Sequence, residues 1–253
     1  MSVKSRLRSR LRKVGLEVGR FPQDTQGNVL FRALLSARPG MVLDIGANNG
    51  GFARTLRSFG YGGDIVSFEP GEAARRDLVL SAETDEKWNV RGEALGDFDG
   101  SADLNVTANA GASSSLVDML DRHVEAAPDA KVVKRESVRV RRLDSIVAAG
   151  ELVLNRPVLK IDVQGYERQV LAGCGRLLNR IVAVQLELSV EPLYAGAWDW
   201  QEAIEWLEAE GYRLRGLEPG FCDSSTGVML QFDAVLCRDD DQDSRDSIHG
   251  SRS

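Results

Sequence analysis

Met41-Val42-Leu43-Asp44-Ile45-Gly46-Ala47-Asn48-Asn49-Gly50-Gly51 decides the fold. A short apolar run bounded by glycines reads as a buried parallel strand. It ends in an acid and a glycine-rich turn, and Phe52 to Phe59 then reads as a helix. Gly46 and Gly50 permit a tight turn and let a ligand approach the backbone. The helix aims its free N–H groups at that turn. Strand, turn and helix together predict a doubly wound α/β sheet, mostly parallel, with a nucleotide-type pocket at the carboxyl ends of its strands.

What the turn lacks narrows the ligand. Aligned on Gly46, the dinucleotide fingerprint G-x-G-x-x-G needs glycine at 48, where Asn48 stands, and no Gly-Lys-Ser/Thr follows to make a P-loop. The spacing resembles instead the D-x-G-x-x-x-G signature of class I S-adenosylmethionine (SAM)-dependent methyltransferases. That resemblance implies that Asp44, Gly46, Asn48 and Gly50 contact SAM, with Asp44 facing the methionine ammonium.

The next strand supports a nucleoside ligand. Asp64-Ile65-Val66-Ser67-Phe68-Glu69-Pro70 is β-rich and ends in a carboxylate about 20 residues past the turn, where an acid accepts from both ribose hydroxyls. Pro70 suits the first turn of a following helix, Ala73 to Leu80. Trp88 to Gly96 reads as a third strand and its exit. Glu93 is placed to accept from the adenine amino group, with Ala94 and Leu95 as apolar wall and Asp97 as a competing acceptor.

Residues 97–150 do not follow the βα pattern. Ser101 to Val106 reads as a strand, Gly111 to Ser115 as a small-residue loop, Leu116 to Ala127 as a helix and Val138 to Leu143 as a half-buried strand. An insertion beside the pocket is where a substrate lid is expected. The regular pattern returns at Pro157-Val158-Leu159-Lys160-Ile161-Asp162-Val163-Gln164-Gly165-Tyr166-Glu167. Ile181 to Leu188 is a further strand, with Glu187 near its end. Asp199-x-x-Glu202 resembles a capping box opening a helix with Trp200, Ala203, Ile204 and Leu207 on one face. Tyr212 to Leu217 and Val228 to Cys237 pair as a closing antiparallel hairpin.

Composition excludes other classes. With 43% hydrophobic and 28% charged residues the chain is an ordinary soluble globular protein, and its net charge of −6 argues against nucleic acid as a partner. Cys174, Cys222 and Cys237 form no C-x-x-C pair, which points to a reducing cytoplasm and no zinc site. Residues 1–20 carry Lys4, Arg6, Arg8, Arg10, Arg12, Lys13 and Arg20, with Val3, Leu7, Leu11, Val14 and Val18 at helical spacing. Such a basic amphipathic helix packs on its own domain or rests on the inner face of an anionic membrane. The acidic residues 238–253 have no apolar pattern and are expected to be disordered.

Lys160-Ile161-Asp162-Val163-Gln164-Gly165-Tyr166-Glu167 completes a set with Asp44-Ile45-Gly46-Ala47-Asn48, Phe68-Glu69-Pro70, Ala94-Leu95-Gly96 and Leu143-Asp144. With these motifs the chain, from about residue 38 to 237, resembles the FkbM family of SAM-dependent methyltransferases. The resemblance implies a methyltransferase domain over 38–237 carrying a lid at about 97–150, preceded by the helix and connector of 1–37. It also implies O-methylation of a hydroxyl on a sugar, glycolipid or polyketide-type product, hence a small-molecule or lipid-linked glycan acceptor.

An alcohol needs a base to take its proton. Asp162 and Glu187 at strand tips and His123 in the insertion are the candidates, Asp162 foremost. Asp162 and Glu187 also have the hard oxygen ligands that suit a divalent ion, although no dense ligand cluster demands one, so no metal is assigned. An NAD-type oxidoreductase and a non-catalytic SAM-binding module are the alternatives.

Overall fold

A computed structural model describes residues 28–238; the basic helix and the acidic tail expected at the two ends lie outside the described residues. In chain order the elements are α1 (Asn28–Ser36), β1 (Met41–Ile45), α2 (Gly51–Ser58), β2 (Asp64–Phe68), α3 (Glu72–Ala82), β3 (Trp88–Arg91), β4 (Ala94–Leu95) and β5 (Gly100–Thr107). There follow α4 (Asp121–Ala126), β6 (Val132–Arg141), α5 (Leu143–Ala148), β7 (Pro157–Ile161), α6 (Glu167–Ala172), β8 (Ala183–Ser189), α7 (Trp200–Ala209), β9 (Tyr212–Pro219) and β10 (Gln231–Arg238).

Seven strands form the main sheet in the order β3-β2-β1-β7-β8-β10-β9. β3, β2, β1, β7 and β8 run parallel, and β10 pairs antiparallel with both β8 and β9. The order reverses direction between β1 and β7, the point at which such sheets open a crevice above their strand ends.

The pleat sorts the core into two layers, because successive side chains point to opposite faces. Met41, Leu43 and Ile45 join Leu159, Ile161, Leu143, Val170 and Leu207 under α5, α6 and α7. Val42, Val158, Ala183 and Val235 face Leu30, Leu34, Ala53 and Leu56 of α1 and α2. At the start of α7, Asp199 accepts from the backbone N–H groups of Gln201 (2.9 Å) and Glu202 (3.1 Å), a cap worth about 1 kcal/mol.

Three expectations are corrected. The third strand stops at Arg91, and Ala94–Leu95 instead joins a three-stranded sheet ordered β4-β6-β5. Leu116 to Leu120 is not helical; Met119 pairs with Tyr194 and the Leu120 N–H bonds to the Leu193 carbonyl (2.9 Å), so long-range backbone pairing displaces the local helix. The strand read at Val138 begins at Val132, because β5 pairs with its polar, exposed first half as well.

Candidate active site

The turn after β1, the ends of β2 and β7, β4 and the loop after β5 enclose a cavity of about 770 Å³, mouth included. Gly46, Asn48, Glu69, Ala94, Asp162 and Tyr166 border it, with Phe68, Leu95 and Leu104 as apolar wall. Gly111, Ala112, Ser114, Ser115 and Leu116 close the opposite side. These residues and Leu104 belong to the 97–150 insertion.

Gly46 and Gly50 carry different constraints. Gly46 has φ +76°, and a Cβ there would lie 1.8 Å from the carbonyl oxygen of Asp162, so the β1 turn and the β7 tip meet backbone to backbone. Gly50 has φ +84° and packs against the Trp88 ring and Leu78, where a Cβ would approach to 2.8 Å. It caps α2 from within the core and does not border the cavity.

Glu69 is the carboxylate at the tip of β2. Its Oε2 accepts from the Asn48 N–H (2.8 Å) and its Oε1 from the Gly71 N–H (2.8 Å), which fixes the group while it borders the cavity. Burial pushes its pKa up, and the two backbone N–H groups work against that shift. Asn48 holds a left-handed conformation, φ +47°, that aims its N–H at this acid.

Asp44 takes a position other than the one expected. Pleat parity with Val42 turns it onto the α1–α2 face, wholly buried, away from the cavity border. Its Oδ1 lies 3.3 Å from the Lys160 ammonium, and Ser67 donates to its Oδ2 (3.3 Å). Burial raises the Asp44 pKa against the pull of Lys160. Burial pulls the Lys160 pKa down, but Asp162 and Asp44 outweigh it and hold the group charged.

Asp162 follows β7 and remains partly open. Its Oδ2 is 3.3 Å from Lys160 Nζ, and Oδ1 accepts from Gln164 Nε2 at 2.8 Å. The same Gln164 amide donates to Glu187 Oε2, and the Tyr194 hydroxyl donates to Gln164 Oε1 (2.6 Å). Tyr194 thereby fixes which end of the amide faces the two acids. Gln231 also donates to Glu187 (2.9 Å). Burial, then Asp162 and Asp233, push the Glu187 pKa well up, and Glu187 does not border the cavity. The space between Asp162 and Glu187, considered above for a divalent ion, holds the Gln164 amide. Among the described residues no group of three or more His, Cys, Asp or Glu is arranged to hold a metal.

Three other sequence candidates lie away from the cavity. Glu93 pairs with Arg91 (2.6 Å) rather than facing an adenine; Ala94 and Leu95 do line the wall. Asp97 is exposed and accepts from the Tyr166 hydroxyl (3.2 Å), touching the site only through that ring. His123 is buried between Phe221 and Tyr194, at centroid distances of 5.5 and 5.2 Å, with Nε2 3.3 Å from Ser113 Oγ. Burial lowers its pKa, so it packs as a neutral ring. Sequence reading missed Lys160, Gln164, Tyr166 and Tyr194. A lysine inside the apolar run Pro157–Ile161 was the available signal, since a strand buries such a charge only with partners.

No curated protein matches the chain. Among solved structures, an rRNA methylase from Streptococcus thermophilus is similar at 10% identity, covering 85% of this chain and 98% of its own, with a TM-score of 0.42. Fibrillarin from Aeropyrum pernix, bound to SAM, is similar at 12% identity, covering 81% of this chain and 76% of its own, with a TM-score of 0.43. The family model described as the methyltransferase FkbM domain matches residues 44–214, which span the sheet from the end of β1 into β9. The apolar wall, the fixed acid at the β2 tip and the close-packed β1 turn fit SAM, and the chain belongs to the FkbM family of SAM-dependent methyltransferases.

Proposed function

We propose that the chain methylates a hydroxyl oxygen on a sugar, glycolipid or polyketide-type acceptor, with Asp162 as the base. The observation that carries this reading is the position of Asp162, which borders the cavity above and also a second cleft on the other side of the β1 turn. Gly46 and Asn48 are the other residues common to both. A cofactor in the first space and an acceptor in the second would meet at this carboxylate.

Bound SAM supplies an electrophilic methyl group on a sulfonium. The chain contributes placement and proton transfer. Glu69 holds the ribose hydroxyls, and Phe68, Ala94, Leu95 and Leu104 enclose the base and keep water away. Asp162 accepts the proton of the attacking hydroxyl, while Lys160 and Gln164 fix its two oxygens so that the acceptor oxygen is aligned before reaction.

An uncharged or cationic acceptor fits better than nucleic acid, because phosphate would approach a chain of net charge −6 through a carboxylate-lined cleft. The test is Asp162→Asn, assayed with labelled SAM and a glycolipid extract. Loss of a positioned base lowers kcat by about 10²–10⁴-fold, with SAM still bound. Undiminished turnover refutes the assignment.

A further inference from the structure

The second cleft has a chemistry of its own. It lies on the α1–α2 face, about 780 Å³ with its mouth included, and Phe31, Phe52, Lys160, Asp162, Gln185 and Asp233 border it. Its one lysine is already committed. The Lys160 ammonium donates to the Gly46 carbonyl (3.2 Å) and forms ion pairs with Asp44 and Asp162 at 3.3 Å each, so its charge is already shared between two carboxylates.

On its strand side the cleft presents acceptors, Asp162, Asp233 and Gln185, while Asn48 and Asn49 border it at the start of α2. Asp233 accepts from Gln185 Nε2 (3.1 Å), and burial, then Asp162, pushes its pKa up to about 6. Gln185 is 6% exposed, and its Oε1 finds no hydrogen-bond partner among the described residues. An orphaned buried carbonyl beside the Asp233 carboxylate favours a donor at this end of the cleft. Phe31 and Phe52 stack at 5.4 Å along the other wall, and Lys160 Nζ already lies 5.6 Å from the Phe52 ring centre. Ring faces of this kind attract cations.

A phosphate offers only acceptors and negative charge. A hydroxyl brings one donor and two lone pairs, whereas an ammonium brings three donors and a positive charge. We propose that this cleft is the subsite for a protonated primary amine carried on the acceptor near the methylated hydroxyl, which makes the acceptor an amino sugar or a similar amino alcohol. The proposal rests on Asp162 serving both spaces, and it adds the charge of the acceptor to that reading.

The experiment uses the full chain saturated with S-adenosylhomocysteine. Glucosamine, glucose and glucose 6-phosphate are titrated calorimetrically into the wild type, Asp233→Asn and Asp233→Glu, with cofactor affinity measured in each as the check on folding. The expected result is glucosamine binding about tenfold or more tighter than glucose, a margin of ~1.4 kcal/mol, and no heat from glucose 6-phosphate. Asp233→Asn loses that preference and Asp233→Glu keeps it.

Equal affinity for glucose and glucosamine, preference for the phosphate, no binding of any sugar, or a preference that survives Asp233→Asn overturns the proposal. Methyl transfer to neutral alcohols without amine preference overturns it too and leaves the methylation reading standing. Amine binding that depends on Asp233, with no methyl transfer to any alcohol, upholds the subsite and sinks the methylation reading instead.

Discussion

Replacing Gly46 with alanine separates two reasons for a glycine at this turn. If only the cofactor's approach requires it, the substitution weakens SAM binding and leaves the unliganded protein as stable as before. The structure says otherwise. The new Cβ would lie 1.8 Å from the Asp162 carbonyl oxygen, about half an ordinary contact, and the residue would have to keep φ near +76°. Left-handed backbone costs alanine about 1–2 kcal/mol, and forcing apart close-packed groups adds about 1–3 kcal/mol. The sum of about 2–5 kcal/mol is a large part of the 5–15 kcal/mol that holds a domain together. In a chain of this size each kcal/mol lowers Tm by about 2–4 °C, so a fall of roughly 4–20 °C is expected. Differential scanning calorimetry without ligand measures it. An unchanged Tm with weakened SAM binding would refute the argument that the strand seam itself demands glycine.

Glu69→Ala removes the acceptor for the Asn48 and Gly71 N–H groups and the proposed partner of the ribose; the Kd for SAM should rise about 10–100-fold by calorimetry, and an unchanged Kd counts against ribose binding. Tyr194→Phe frees the Gln164 amide to turn over, so kcat should fall about two- to tenfold with KM for SAM unchanged, whereas a purely structural tyrosine would move both. The Glu167 carboxyl, raised by burial from 4.5 to about 7, binds its proton more tightly folded than unfolded. Its contribution is therefore fully present below pH 4.5 and is lost as pH rises through about 7, amounting to about 3 kcal/mol. Urea midpoints on either side of that window should show the decline, and Glu167→Gln should flatten it.

The parts of the fold legible in the sequence were those written in adjacent residues. A strand, a glycine turn and a helix follow one another at Met41–Ser58 and again at Pro157–Ala172, and the acids Glu69 and Asp162 stand at the strand ends where the pattern places them. Asp44 was misplaced by direction rather than by position, since period-two alternation with Val42 assigns it to the α1–α2 face. The partners of Glu93 and Asp97 lie at Arg91 and Tyr166, and composition does not reveal which charges will pair. The contacts of Gln164 with Glu187 and Tyr194, and of Gln185 with Asp233, join residues more than twenty positions apart in the chain, so no local spacing announces them. Leu116 to Leu120 was read as helical because its partners at Leu193 and Tyr194 lie more than seventy residues downstream.

Asn105 and Ser115 exchange both of their backbone hydrogen bonds, N–H to O at 2.9 and 3.2 Å. That rung closes residues 109–114 into a loop with internal bonds from Asn109 Nδ2 to Ser113 Oγ (2.9 Å) and from the Ser114 N–H to the Gly111 carbonyl (3.0 Å). Loops whose ends meet tolerate exchange, because the strands beneath keep their register whatever the loop contains. This one forms the wall opposite Glu69 and Asp162, so the molecule has a detachable cassette over a permanent floor. A graft of foreign sequence between the same two anchors would alter which guests enter, provided it keeps a carbonyl where Ser113 receives the Tyr194 hydroxyl (3.2 Å).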